Sequence, residues 1–75
     1  MELSESIGAA LRACRKQKKL IQLDVAVAAD SERNFISEIE TGKRNISLNM
    51  FARLCDGLDV DPREILDDAL KRMGR

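Results

Sequence analysis

The feature that most constrains the fold is a pair of short helical segments joined by very few residues. Apolar side chains repeat at the spacing of one helix face within residues 22–29, and again within residues 32–40. The connection, Asp30 and Ser31, includes neither Gly nor Pro, and Gly42 ends the second segment by permitting left-handed backbone. So short a connection disfavours antiparallel packing of the two helices. The sequence therefore predicts that they cross at a steep angle.

Such a steep crossing is the helix-turn-helix arrangement. Three further helices are expected around this pair, over residues 4–18, 47–57 and 62–73. In the first of them, Ile7, Leu11 and Cys14 follow one another at the spacing of one helix face. The short loops leave no room for a linker or a second domain. We therefore predict an all-α, compact five-helix fold that forms a single domain over residues 1–75.

Several helix starts carry residues suited to that position. Ser4, Ser47 and Asp61 are expected N-caps, because a side-chain oxygen there can accept a backbone N–H of the first turn. Pro62 fits the first helical position after Asp61, and Glu64 is expected to complete a capping box.

The chain contains no histidine, and this excludes several kinds of site. Ser-His and Cys-His catalytic pairs and His-ligated metals all require an imidazole. Cys14 and Cys55 form no C-x-x-C pair, so we expect buried thiols in a reducing, cytoplasmic location, with a disulfide as the less favoured alternative. No apolar run is long enough to cross a membrane. No metal, cofactor, membrane partner or enzymatic activity is expected.

The charges balance in number but not in position. The chain has 13 Lys and Arg against 13 Asp and Glu. Residues 12–19 contain basic residues and no acidic one, and Lys43 and Arg44 add two cations after the third helix. Residues 56–68, by contrast, contain six acidic residues and only one basic residue, Arg63. The uneven distribution predicts a basic binding face and an acidic face turned away from it, which the neutral sum conceals. The neutral sum itself predicts weak non-specific attraction to polyanions.

From Gln22 onward the sequence resembles the Cro/repressor-type (Xre-like) helix-turn-helix family. Gln22 begins the second helix, Ala26 stands four residues later, and the third helix closes with Ile36-Ser37-Glu38-Ile39-Glu40-Thr41-Gly42. The match continues upstream through Ile7-Gly8 and downstream to Leu66. The resemblance implies a lambda-repressor-like fold whose third helix enters the DNA major groove.

The resemblance, together with the outward positions of the third helix, implies the residues that read bases. These are Arg33, Asn34, Ser37 and Glu38. Arg33 matches the O6 and N7 of guanine, Asn34 matches the N6 and N7 of adenine, and a glutamate can accept from cytosine N4. The alternative for Arg33 is a solvated arginine paired with Glu32 at the helix start.

The resemblance also implies phosphate contacts and one structural ion pair. Gln22 would donate its backbone N–H to a phosphate, and the loop residues Lys43, Arg44 and Asn45 would contact the DNA backbone. The alternatives are a polar helix start and a solvated loop. Arg15 and Glu40 are expected to form a partly buried pair that supports the fold and does not read DNA.

The tract from Arg33 to Asn45 is similar to that of a narrower group, the controller proteins of restriction–modification systems. The hydroxyl common in that group is absent at Phe35. Asp30 stands where the wider family usually has Gly, a position that needs left-handed backbone. These departures bear on DNA affinity more than on the fold.

A single domain of this size covers one half-site, so we expect a homodimer on an inverted repeat. Its interface is predicted on the last helix and the loop before it: Leu58, Val60, Ile65, Leu66, Leu70 and Met73. The alternative is that this surface packs inside the domain. The predicted function is a transcriptional regulator that binds double-stranded operator DNA and blocks or recruits RNA polymerase. A second hypothesis is an antitoxin-like protein-interaction module.

Overall fold

The computed structural model describes residues 2–75 and contains five α-helices within them. They are α1 (Leu3–Gln17), α2 (Gln22–Ala28), α3 (Arg33–Glu40), α4 (Leu48–Leu58) and α5 (Pro62–Arg72). The predicted all-α fold with a helix-turn-helix at α2 and α3 is confirmed, and the predicted helix bounds agree to within about one residue.

Two of the expected N-caps are present. The hydroxyl of Ser47 accepts the backbone N–H of Met50 at 3.1 Å, and the carboxylate of Asp61 accepts that of Arg63 at 2.9 Å. Pro62 occupies the first turn of α5 as predicted. The capping box with Glu64 was a wrong prediction: the backbone N–H of Glu64 donates to the Asp61 carbonyl at 2.9 Å, while the Asp61 carboxylate accepts from the guanidinium of Arg63 at 2.7 Å. These hydrogen bonds from Arg63 lower the pKa of Asp61.

Ser4 does not cap α1, contrary to the sequence prediction. The helix begins at Leu3, with Glu2 in the capping position, so Ser4 already lies inside the first turn. Its hydroxyl accepts the backbone N–H of Ile46 at 3.2 Å. Ser4 therefore attaches the loop before α4 to the start of α1.

All five helices end with a residue in left-handed backbone. These residues are Lys19, Asp30, Gly42, Asp59 and Gly74, with φ between 53° and 82°. After Gly42, for example, the N–H of Lys43 returns to the carbonyl of Glu38 at 2.9 Å, which satisfies a free acceptor of the last turn. The left-handed conformation predicted at Asp30 is confirmed, and it turns the chain from α2 into α3.

The core is formed by aliphatic side chains from all five helices, together with Phe51 and Cys55. Ala26, the residue four positions after Gln22 in the helix-turn-helix pattern, is 1% exposed. Ser6 is fully buried and donates its hydroxyl hydrogen to the Ala69 carbonyl, which joins α1 to α5. Helix α1 thus packs on α5 along one side and on α3 along the other.

Gly8 sets the distance between α1 and α3. A Cβ at this position would overlap the carbonyl oxygen of Ile39 in the last turn of α3. Because this neighbour is backbone in a helix, it cannot move aside without displacing α3. The absence of a side chain at Gly8 therefore lets the two helices touch.

Both cysteines are free thiols, so the alternative of a disulfide was wrong. Burial raises the pKa of Cys14, and it raises the pKa of Cys55 to about 11. The described residues 2–75 hold no cluster of acidic, cysteine or histidine side chains that could bind a metal. None of the helices there has the length and apolar character needed to span a membrane.

We expect Gly8→Ala to lower the free energy of unfolding by about 2 kcal/mol or more, because the new methyl group overpacks the α1–α3 contact. Gly57→Ala is the control. Its Cβ would lie 3.1 Å from the Cβ of Ala28, a contact that a shift of a few tenths of an ångström between α2 and α4 relieves, and alanine has the higher helix propensity, so its cost should be far smaller. Urea denaturation followed by circular dichroism measures both, and equal effects would contradict this role for Gly8.

Candidate nucleic-acid interface

Helix α3 has one buried face and one open face. Ile36 and Ile39 are 2% and 1% exposed, so they anchor the inner side in the core. Of the four predicted base-reading residues, Arg33 and Asn34 are exposed, while Ser37 and Glu38 are half-buried. The structure therefore brings all four onto the surface of one rigidly held helix.

Arg33 lies in the first turn of α3 and points away from the core. Within residues 2–75 it forms no ion pair, and the alternative pairing with Glu32 is absent. Asn34 beside it is also exposed. A free guanidinium and a free carboxamide at the start of this helix are thus available to a ligand.

Two of the predicted DNA residues contact each other. A guanidinium nitrogen of Arg44 lies 3.3 Å from a carboxylate oxygen of Glu38, and the same guanidinium lies 5.0 Å from the centre of the Phe35 ring. The turn at Gly42 folds the loop back onto α3 and so creates this cluster. Sequence reasoning treated Glu38 and Arg44 separately and missed the contact.

The predicted pair of Arg15 and Glu40 is formed at the junction of α1 and α3. It has two prongs, Nε to Oε2 at 2.7 Å and Nη2 to Oε1 at 3.0 Å. The remaining guanidinium nitrogen donates to the carbonyl of Leu20 at 2.8 Å. Both residues are 8% exposed, so the pair is largely shielded from water.

Gln22 joins this buried pair from the first turn of α2. Its side-chain amide donates to Glu40 at 3.1 Å, so this side chain faces the protein while its backbone N–H remains at the helix start. The backbone N–H before it, on Ile21, is taken by the carboxylate of Asp24 at 2.9 Å. Glu40 thus links α1, α2 and α3 through one carboxylate.

The other predicted phosphate residues occupy the loop between α3 and α4. Lys43 and Asn45 are exposed. Gly42, which precedes them, lies against Glu5 of α1. The loop therefore lies at the edge shared by α1 and α3.

The predicted dimer residues fall into two groups. Leu58 and Ile65 are 2% and 3% exposed, so they belong to the core of this domain, and their assignment to a dimer interface was wrong. Burying the apolar faces of α4 and α5 requires these two side chains within the chain itself. The remaining predicted residues reach the surface at least in part: Val60, Leu66, Leu70 and Met73.

A groove with an apolar lining runs beside Leu66. It has a volume of about 210 Å³, and its walls include Leu3, Ile46 and Phe51. Leu48 also lines the groove and is 86% exposed. Sequence reasoning missed Leu3 and Leu48, because their apolar character fits the periodic faces of α1 and α4 and only tertiary packing leaves them uncovered.

Comparison with known proteins places this arrangement in context. A family model described as "Helix-turn-helix domain" matches residues 6–67. The chain is 36% identical over 61 residues to control protein C.BamHI of Bacillus amyloliquefaciens, covering 80% of this chain and 75% of that protein. It is 37% identical over 65 residues to control protein C.MunI of Mycoplasma sp., covering 85% and 88%.

The fold is also similar to a solved regulator. The crystal structure of the clp gene regulator ClgR from C. glutamicum superposes with a TM-score of 0.95 at 30% sequence identity. The match covers 97% of this chain and 95% of that chain.

Removing Glu40 should be costly, because it leaves the guanidinium of Arg15 buried without a counter-charge. For Glu40→Ala we expect a loss of about 3–5 kcal/mol in the free energy of unfolding. Glu38→Ala is the control on the same helix, since its pair with Arg44 is half-exposed and should contribute at most about 1 kcal/mol. Urea denaturation distinguishes the two, and similar losses would argue against a structural role for the buried pair.

Proposed function

This chain belongs to the helix-turn-helix domain family, and we propose that it is a sequence-specific DNA-binding transcriptional regulator of the restriction–modification controller type. It binds an inverted-repeat operator as a homodimer, in the cytoplasm, and has no enzymatic activity. Its similarity to two control proteins extends over most of the chain and supports this assignment. Bound beside a promoter, the dimer blocks RNA polymerase or contacts it.

The observation that carries the proposal is the free polar edge of α3. Arg33 and Asn34 are exposed on a helix whose opposite face is locked into the core by Ile36 and Ile39. A helix held in this way can enter the major groove with little loss of backbone conformational entropy. Arg33 then reads guanine, and Asn34 reads adenine.

The phosphate contacts surround this edge. The backbone N–H of Gln22 at the start of α2 donates to one phosphate, and the loop residues Lys43 and Asn45 contact another. Arg44 begins in contact with Glu38 and exchanges that carboxylate for a phosphate. Because exposed ion pairs contribute at most about 1 kcal/mol, the exchange is not prohibitive.

The same exchange gives Glu38 a role in base selection. Once Arg44 has moved to the DNA backbone, the Glu38 carboxylate is free to accept a hydrogen bond from cytosine N4, and it repels a base that offers only acceptors. Ser37, half-buried on the same face, adds a smaller polar contact. Glu38 therefore narrows the set of tolerated sequences.

Dimerisation uses the exposed apolar surface on the other side of the domain. Leu66, Leu70 and Met73 follow one another along one face of α5 and its end. The groove between Leu66 and Leu48 continues this surface and replaces the buried Leu58 and Ile65 of the sequence prediction. Two copies joined there present two recognition helices to half-sites about 34–36 Å apart.

Arg33→Ala tests base reading. Selection of bound sites from random duplex DNA should recover a two-fold symmetric motif for the wild type. The variant should lose discrimination at one position of each half-site, at a cost of about 1–3 kcal/mol per half-site.

Arg63→Ala is the control for this loss of charge, because Arg63 also lies in the first turn of a helix but is paired with Asp61. It should leave the selected motif unchanged. Recovery of no enriched motif by the wild type, or an unchanged motif for Arg33→Ala, would refute this docking of α3.

The dimer surface is tested by Leu48→Glu, which places a charge where two apolar surfaces should meet. Sedimentation equilibrium should show a dimer for the wild type at micromolar concentration and a weakened dimer for the variant. Val27→Glu is the control, because Val27 is 72% exposed on α2, away from the groove. A wild-type monomer at high micromolar concentration, or equal weakening by both variants, would rule out this interface.

A further inference from the structure

The basic side chains of the domain differ in whether an acid neutralises them. Residues 2–75 form six ion pairs between basic and acidic side chains. One joins Arg15 to Glu40, and the other five are formed by Arg44, Arg53, Arg63, Lys71 and Arg72. In the part of the chain that the structure describes, the following have no acidic partner: Arg12, Lys16, Lys18, Lys19, Arg33, Lys43 and Arg75. The unpaired charge is therefore concentrated in the second half of α1 and at the two ends of α3.

Two of these cations line a shallow concavity on the outer face of α1. Arg12 and Lys16 stand one helical turn apart, and both are exposed. The floor between them is made by the small side chains of Ala9 and Ala13. The concavity has a volume of about 260 Å³, which is room for a phosphate group with its hydration.

The other two lining residues do not cancel this charge. Glu40 forms one edge, but its carboxylate is already neutralised by Arg15 at 2.7 Å. Arg72 forms the opposite edge, and its guanidinium is paired with Asp68 at 3.0 Å. The concavity consequently keeps the full double positive charge of Arg12 and Lys16.

The position of the concavity connects it to the DNA-binding face. Its edge residue Glu40 accepts a hydrogen bond from Gln22 at 3.1 Å, and Gln22 begins α2. A DNA strand that passes the start of α2 therefore has the basic concavity as the next surface along its path. The three cations of α5, by contrast, are each paired with an acid, so that helix offers the strand no comparable surface.

We propose that Arg12 and Lys16 form a phosphate clamp for the DNA backbone, outside the helix-turn-helix itself. This inference rests on the proposed function, and it adds a site that carries affinity without reading sequence. The clamp holds the phosphates that flank the half-site through charge and offers no contact to base edges. In a protein of zero net charge, these two cations supply much of the salt-dependent attraction.

The test compares two charge-matched double variants on DNA. Arg12→Gln/Lys16→Gln removes the clamp, whereas Arg63→Gln/Lys71→Gln removes two cations already paired on α5. Binding is measured between 50 and 200 mM salt with the wild-type selected site and with an unrelated duplex. Circular dichroism melting confirms that each variant is folded.

Loss of the clamp should reduce the slope of log Kd against log salt by about 1.8, since each lost phosphate contact contributes about 0.9. Relative to equal binding at 1 M salt, where the phosphate contribution vanishes, this corresponds to a loss of about 60-fold in affinity at 0.1 M salt. The factor should be similar for both duplexes, because phosphates carry no sequence information. The control variant should change slope and affinity little.

Other results would overturn the proposal in distinguishable ways. If the wild type binds DNA and both double variants bind it as tightly as the wild type does, the clamp is absent while the proposed function stands. If the wild type binds no duplex at any salt, the proposed function itself fails. The chemical shifts of the Arg12 and Lys16 side chains can also be followed while inorganic phosphate is added without DNA. Shift changes that saturate at a low phosphate concentration would identify a free anion as the occupant and refute the assignment to DNA.

Discussion

Arg15 and Glu40 form the buried ion pair around which the DNA-binding part of this domain is organised. The two-pronged contact ties the end of α3 to α1, and the hydrogen bond from Gln22 adds the start of α2 to the same carboxylate. Because a buried charge is tolerated only when it is paired, small rotations of these helices are opposed by the cost of exposing or separating the pair. Helix α3 is short, and this anchor gives it a fixed orientation, which the proposed base reading requires.

The contact between Gly8 and the end of α3 has the same effect by a different physical means. The ion pair resists separation of the helices, while the absence of a Cβ at Gly8 allows the backbone of α1 to contact the backbone of α3 at Ile39. Together they determine where the outer face of α1 lies relative to the DNA-binding surface. The proposed clamp of Arg12 and Lys16 depends on that placement, since Glu40, whose carboxylate holds the helices together, also forms one edge of the concavity that the two cations line.

The charge distribution suits a regulator that must distinguish its operator from other DNA. The zero net charge limits attraction to arbitrary duplexes, and the pair of Glu38 with Arg44 removes further charge from the recognition surface until DNA competes for it. In the proposed complex, affinity comes from base contacts, from the unpaired cations and from two copies acting together. The carboxylate of Glu38 on α3 would add specificity there, because it penalises a base that offers only acceptors.

The sequence by itself determined the helix order, the left-handed turn at Asp30, the pairing of Arg15 with Glu40 and the outward position of Arg33, since these follow from local periodicity, turn chemistry and a recognisable motif. Tertiary structure decided the rest, because burial depends on which faces meet. It placed Leu58 and Ile65 in the core and left an apolar groove uncovered elsewhere. It also brought Glu38 to Arg44 across a turn and gathered cations of α1 beside the DNA-binding edge, contacts between separate elements that spacing along a chain cannot specify.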